Sequence, residues 1–186
     1  MSNIKDDLGA SLAAKIQQER ERREWSLGDL ARRSGVSKAM LSKIERAEAS
    51  PTAATLSRIA TAFGLTLAEL VAEKKTSQLL RAGEQSVWRD PTTAYVRRQI
   101  FLSRSDPLEL VEIELPPRQE VHFPASAYLL IRQVVWVLGG RLTIVQGADC
   151  HVLKTGDRLE FGDPADCTFR NEGTQKCRYL VAVVRR

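Results

Sequence analysis

The 186-residue chain is poor in cysteine, histidine and aromatic residues, with three cysteines, two histidines and 6% aromatics. Cys150, Cys167 and Cys177 form an odd, sparse set without CxxC spacing. That excludes a disulfide framework and predicts a reducing, cytoplasmic setting. No apolar run approaches the ~20 residues that a spanning helix needs, so no membrane segment is expected. Residues 1–10 are polar and acidic, unlike a secretory signal. Repeats and low-complexity tracts are absent too.

What the chain does have is core-forming material. Hydrophobic residues make up 43% and charged residues 27%, ordinary values for a globular protein. The net charge is +5, which favours contact with a polyanion. Its distribution is uneven: residues 20–46 hold eight basic and four acidic side chains.

Two textures divide the chain. Apolar residues recur at three and four over residues 7–73: Leu8, Leu12, Ile16; Leu27, Leu30, Ala31; Met40, Leu41, Ile44; Leu56, Ile59, Ala60, Phe63; Leu67, Leu70, Val71. This is the helical period. Residues 92–186 instead read as short strands, with alternation over Leu110–Leu115, a β-branched run at Val134–Leu138, turns at Gly139-Gly140 and Gly156-Asp157, and a last strand at Cys177–Val184. The polar stretch between them reads as a linker over 73–91. The expected fold is α + β in two domains, helices at 1–72 and strands at 92–186.

Ser26–Ile44 is the most informative segment. Ser26 can cap a helix whose Leu30 and Ala31 face inward. Gly35 suits a tight inter-helix turn, Ser37 caps the next helix, and Leu41 and Ile44 form its buried face. Lys38, Ala39, Ser42 and Lys43 are left outward on the early turns, where a helix in the major groove meets base edges. An ordinary helical hairpin has the same spacing. The wording is more specific: Leu30-Ala31-Arg32-Arg33-Ser34-Gly35-Val36-Ser37-Lys38-Ala39-Met40-Leu41-Ser42-Lys43-Ile44-Glu45-Arg46, then Ser50–Leu56 and Ile59–Leu65, resembles the phage-repressor-like (XRE, Cro/C1-type) helix-turn-helix family.

That resemblance implies a five-helix bundle that binds double-stranded DNA. Lys38, Ala39 and Lys43 align with the family's base-contacting positions; lysine can donate to guanine, and alanine can pack on a thymine methyl. Ser26, Ser37, Ser42, Arg46 and Thr52 read as phosphate contacts. Arg20, Arg22, Arg23, Arg32 and Arg33 read as a solvated helix face ahead of any DNA contact. Ala47 departs from the family pattern, which has glycine there; either the left-handed cap relaxes or the helix exits differently.

The strand-rich part also has a resemblance. Val135–Ile144, Leu153–Phe161 and Phe169–Gly173 are similar to the turns of the cupin family, a jelly-roll β-barrel. Many cupins hold a metal on three histidines and a glutamate. Here His122 takes the first position, but Pro124, Gln133 and Cys167 stand at the others, so no metal cofactor is expected. Cys167 reads as a buried inert thiol, or as a redox sensor if its pKa is lowered and it is accessible. The resemblance implies a small-molecule effector, anionic in view of its arginines, held by Arg97, Arg118, His122, Tyr128, Arg132, Gln133, Trp136 and Cys167; mixed-face surface positions are the equal alternative for each. The whole reads as a homodimeric repressor on a near-palindromic operator rather than an enzyme. A metal-dependent cupin enzyme with a DNA-binding appendage and an antitoxin-like interaction protein are the rivals.

Overall fold

A computed structural model describes residues 4–71, 78–103 and 106–185, with side chains from residue 9 onward. The chain divides into two compact units, residues 1–71 and 72–186.

The first unit is helical: α1 (Ile4–Glu21), α2 (Leu27–Ser34), α3 (Lys38–Glu45), α4 (Ala53–Phe63) and α5 (Leu67–Val71). Each helix contributes its apolar stripe to one core, formed by Leu12, Ala13, Ile16, Leu30, Leu41, Ile44, Leu56, Ile59, Phe63 and Leu70. Side-chain oxygens of Ser26, Ser37 and Thr52 cap α2, α3 and α4, accepting from Asp29, Met40 and Thr55 N–H groups that the first turn leaves unpaired. Two expected inward residues differ. Ala31 is half-buried and Met40 is 42% exposed, because it lies at the margin of the Leu41–Ile44 stripe.

The second unit is built from β1 (Val87–Arg89), β2 (Val96–Leu102), β3 (Leu108–Leu115), β4 (Gln119–Phe123), β5 (Ile131–Gly139), β6 (Arg141–Gln146), β7 (Asp149–Lys154), β8 (Arg158–Glu160), β9 (Cys167–Asn171) and β10 (Cys177–Arg185). They form two antiparallel sheets, ordered β1-β2-β3-β10-β5-β8 and β4-β9-β6-β7. Phe169 of β9 stacks on Tyr179 of β10 with ring centroids 5.8 Å apart, so the sheets pack face to face. Alternation fills the space between them with Val111, Ile113 and Leu115 of β3, Val135 and Val137 of β5, and Tyr179, Val181 and Val183 of β10.

The expected barrel is thus a cupin-like jelly-roll sandwich of two sheets. Among the described residues their edge strands do not pair with one another. The Gly139-Gly140 turn joins β5 to β6. Gly140 adopts φ 87°, and a Cβ there would lie 3.1 Å from the Cys177 Cα, so both backbone and space demand glycine. Buried Asn171 ties the other end: its Nδ2 lies 2.9, 3.1 and 2.9 Å from the carbonyls of Leu115, Pro116 and Gln175.

The stretch read as a linker is only partly one. Residues 72–77 lie outside the described residues. Val87–Arg89 is a strand, paired through Trp88 with Arg97 of β2. Trp88 is buried edge-to-face on Tyr95 at 6.4 Å. Three residues are too few to show a period, and this strand is legible only through its partner.

Candidate nucleic-acid interface and the sandwich interior

Local chemistry shapes the α2–turn–α3 unit. Ser26 and Asp29 make a reciprocal capping box: Ser26 Oγ accepts from Asp29 N at 3.1 Å, while the Asp29 carboxylate accepts from Ser26 N at 2.9 Å. Gly35 ends α2 at φ 67°, donating to the Ala31 carbonyl at 2.9 Å. Buried Ser34 donates to the Leu30 carbonyl at 2.7 Å and accepts from Val36 N at 3.2 Å, which closes the turn. Val36 then enters the core and Ser37 starts α3.

At about 100° per residue, Leu41 and Ile44 share one side of α3, the arc opposite holds Ala39, Ser42, Lys43 and Arg46, and Lys38 lies on the flank. The observed burial agrees: Leu41 and Ile44 are buried, Ser42 is half-buried, and the other four are exposed. The helix is anchored from behind. Arg20 of α1 grips Glu45 with two bonds of 2.7 Å and donates to the Trp25 carbonyl at 2.9 Å.

The remaining expected DNA contacts have defined positions. Ser26, Ser37 and Thr52 are N-caps, so their hydroxyls already serve backbone N–H groups. Arg46 is held in a fork by Glu48, at 2.7 and 2.8 Å, and donates from its third nitrogen to Ser42 Oγ. Ala47 keeps the left-handed conformation at φ 56°. Its N–H donates to the Ile44 carbonyl at 2.9 Å and that of Glu48 to the Lys43 carbonyl at 2.8 Å, a Schellman cap without glycine.

The five ambiguous arginines separate. Arg20 is the clamp just described. Arg23 donates to the Phe63 carbonyl at 2.6 Å and lies 4.9 Å from the Phe63 ring centroid. Arg33 covers Trp25 at 4.3 Å. Arg20 and Arg23 are half-buried and hold the bundle together, whereas Arg33 is exposed over Trp25. Arg22 and Arg32 are exposed and paired with Glu19 and Asp29.

In the sandwich, strand parity sorts the expected effector residues. Gln133, Tyr128 and Cys167 are buried in the sandwich: the backbone carbonyl of Gln133 accepts the Phe161 N–H at 3.1 Å, the Tyr128 ring lies 5.7 Å from the Phe161 ring, and Tyr128 lies beside Cys167. Arg97 shares the inward face with Trp88 and Ile113, its cross-strand neighbours. The others are elsewhere. Arg118 is exposed on the β3–β4 turn at φ 59°. His122 points outward from β4, its Nδ1 3.1 Å from Thr168 Oγ1. Arg132 pairs with Glu160 outside at 3.5 Å. Trp136 is 49% exposed on the outer face of the larger sheet. The alternation of Val121-His122-Phe123 already carried this signal for His122.

Sequence reading missed Gln99, which belongs to the same interior. Arg97 Nε, Gln133 Nε2 and Gln99 Oε1 are buried, and among the described residues they meet no partner. The cupin metal set does not fit these residues. His122 faces out, Val121 and Phe123 take the inward positions, and Gln133 is a weak ligand. Burial pushes the Cys167 thiol up to about 11, partly offset by its bond with Tyr128, which removes the low-pKa condition of a redox sensor. Burial raises Cys177 likewise to about 11.

The outer face of the larger sheet carries an apolar groove of about 320 Å³, lined by Val134, Trp136, Gly156, Arg158, Leu180 and Ala182. Register brings these together: Trp136 lies beside Leu180 and Arg158, and Val134 beside Ala182.

Residues 16–70 match the HTH_3 helix-turn-helix family, the span from the α1 core residue Ile16 to the α5 core residue Leu70. The chain is 29% identical to the HTH-type transcriptional regulator SutR of Escherichia coli (strain K12) over 177 residues, 94% of each protein. A crystal structure of an HTH_3 family transcriptional regulator from Vibrio cholerae superposes with a TM-score of 0.81 at 28% identity, covering 96% of this chain and 97% of that one. The chain therefore carries a helix-turn-helix domain of the HTH_3, or XRE, type and is a homologue of these regulators along most of its length.

Proposed function

We propose that the protein is a sequence-specific, DNA-binding transcriptional regulator that acts as a homodimer, represses by default and responds to a small molecule in its cupin-like unit. The observation that carries the DNA reading is the face of α3, where Ala39, Lys43 and Arg46 are exposed opposite the anchored Leu41 and Ile44 and Lys38 is exposed on the flank at the helix start. In the major groove, Lys38 and Lys43 donate to guanine edges and Ala39 packs on a thymine methyl. Ser26, Ser37, Ser42, Arg46 and Thr52 mark phosphate contacts, a cap hydroxyl that accepts from a backbone N–H keeping its own proton to donate.

One such module reads few bases. Two, about 34 Å apart on a near-palindrome, read a specific site. The groove around Trp136 supports a second copy as its occupant. It is apolar at its centre and rimmed by both charges (Arg158 and the Arg132–Glu160 pair), which suits a self-complementary two-fold contact. Trp136→Glu is expected to yield monomers in sedimentation; a dimer that survives it removes this face as the interface.

For the effector, the support is the set of unpartnered buried atoms at Arg97, Gln99 and Gln133, which a bound polar molecule would satisfy. The guanidinium of Arg97 suits an anionic group such as a carboxylate. The ill-fitting metal set weighs against a cupin enzyme.

The deciding test is binding to the chain's own upstream DNA at two salt concentrations, with Lys38→Ala and Lys43→Ala beside the wild type. The expected result is selective binding that weakens with salt and loses selectivity by about 1–3 kcal/mol per lysine. Binding that stays equally selective in both variants rejects the assigned face.

A further inference from the structure

We propose that Glu48 limits DNA affinity by occupying the place of a phosphate on Arg46. This rests on the DNA-binding reading of α3. The guanidinium of Arg46 has five N–H donors on three nitrogens, and each nitrogen makes one bond within the protein, so the Nε–Nη2 edge that would take a phosphate side-on is filled. Glu48 accepts from Nε and Nη2 at 2.7 and 2.8 Å, and Ser42 Oγ accepts from Nη1. A carboxylate gripped by both arms of an arginine is the closest side-chain counterpart of a phosphate diester.

The backbone creates this pair. Residues two apart on a continuous helix do not face each other. Ala47 at φ 56° reverses the chain between Arg46 and Glu48, folding the carboxylate back beside the helix end. Glu48 is held below the usual carboxylate range by its bonds to Arg46 and, more weakly, by the Lys43 charge. An anion thus stands within the cationic arc that would face a polyanion.

DNA binding through Arg46 is then an exchange: the guanidinium leaves one anion for another, and the released carboxylate stays near the phosphates. Exchange adds little affinity, and it does so on any sequence. Glu48 thereby suppresses sequence-independent binding while the base contacts of Lys38 and Lys43 are untouched, a specificity device of the repulsive kind.

The test compares wild type, Glu48→Gln, Arg46→Ala and the double variant on operator and random duplexes over a salt series, with thermal unfolding as the folding control. Glu48→Gln is expected to bind both duplexes about three- to tenfold more tightly, with the slope of log K against log salt steeper by about 0.9, one more counterion released. The double variant is expected to lose that gain and bind like Arg46→Ala. A gain that persists without Arg46 is bulk charge removal and overturns the proposal, as does a Glu48→Gln protein with wild-type affinity and slope. A folded wild-type protein without duplex affinity fails the DNA reading itself, and the proposal with it.

Discussion

Cys167 and Cys177 are fully buried, whereas Cys150 is exposed on β7. Native protein treated with iodoacetamide near pH 8 is expected to be modified at Cys150 alone, read by peptide mass; labelling at Cys167 would revive the sensor reading. The same burial links stability to pH. An unfolded thiol loses its proton near ~8.5, while these two keep theirs to about 11. The unfolded chain therefore binds fewer protons across that window, so the stability these thiols contribute is full below ~8.5 and is lost as pH rises toward 11. Denaturant unfolding between pH 8.5 and 10 is expected to show falling stability in the wild type and a flatter slope in the Cys167→Ala/Cys177→Ala double variant. Single residues were the hardest to place from sequence. Arg97 and Gln133 are inside and His122, Arg132 and Trp136 outside because a residue's face depends on strand parity and register, and a shift of one reverses it.

Elements were far more legible, because their signals are local. Ser26, Gly35, Ser37 and Thr52 sit at the ends of helices whose apolar stripes the period of 3.6 reveals, and α2 through α4 follow. Strand β1 was not legible, since pairing with β2 and the buried Trp88 define it. The cap after α3 shows what local rules leave open: alanine was compatible with a relaxed exit, yet the left-handed turn is kept. Ala47→Gly is expected to stabilise the helical unit by about 1 kcal/mol, since alanine carries a steric cost there that glycine lacks; helical circular dichroism in denaturant measures it, and no gain would mean the cap is unstrained. The opposite sign is expected at the α1–α3 clamp. Arg20 and Glu45 have side chains only 14% and 9% exposed, so Glu45→Ala strands a buried guanidinium and is expected to cost about 3 kcal/mol in the same measurement.

For the whole molecule, the period switches from 3.6 to 2 between two textures, and wording rather than periodicity carried the resemblance of each to a family. The division near residue 72 and the matched span 16–70 follow that switch. What neither texture revealed is the outer face of the larger sheet, where Val134, Trp136, Leu180 and Ala182 come from strands more than forty residues apart in the chain. If that face joins two copies, Trp136→Glu is expected to weaken operator binding by lowering the population of dimer, restored at high protein concentration; an affinity independent of concentration in both proteins would detach dimerisation from DNA binding. The same indole has an optical consequence. The chain has three tryptophans: Trp25 lies under Arg33 in the helical unit, Trp88 is sealed against Tyr95, and Trp136 stands half in water. Intrinsic fluorescence therefore carries three separable signals, and iodide selects the last of them, so the colour and quenching of the native emission report on the state of one surface without any label.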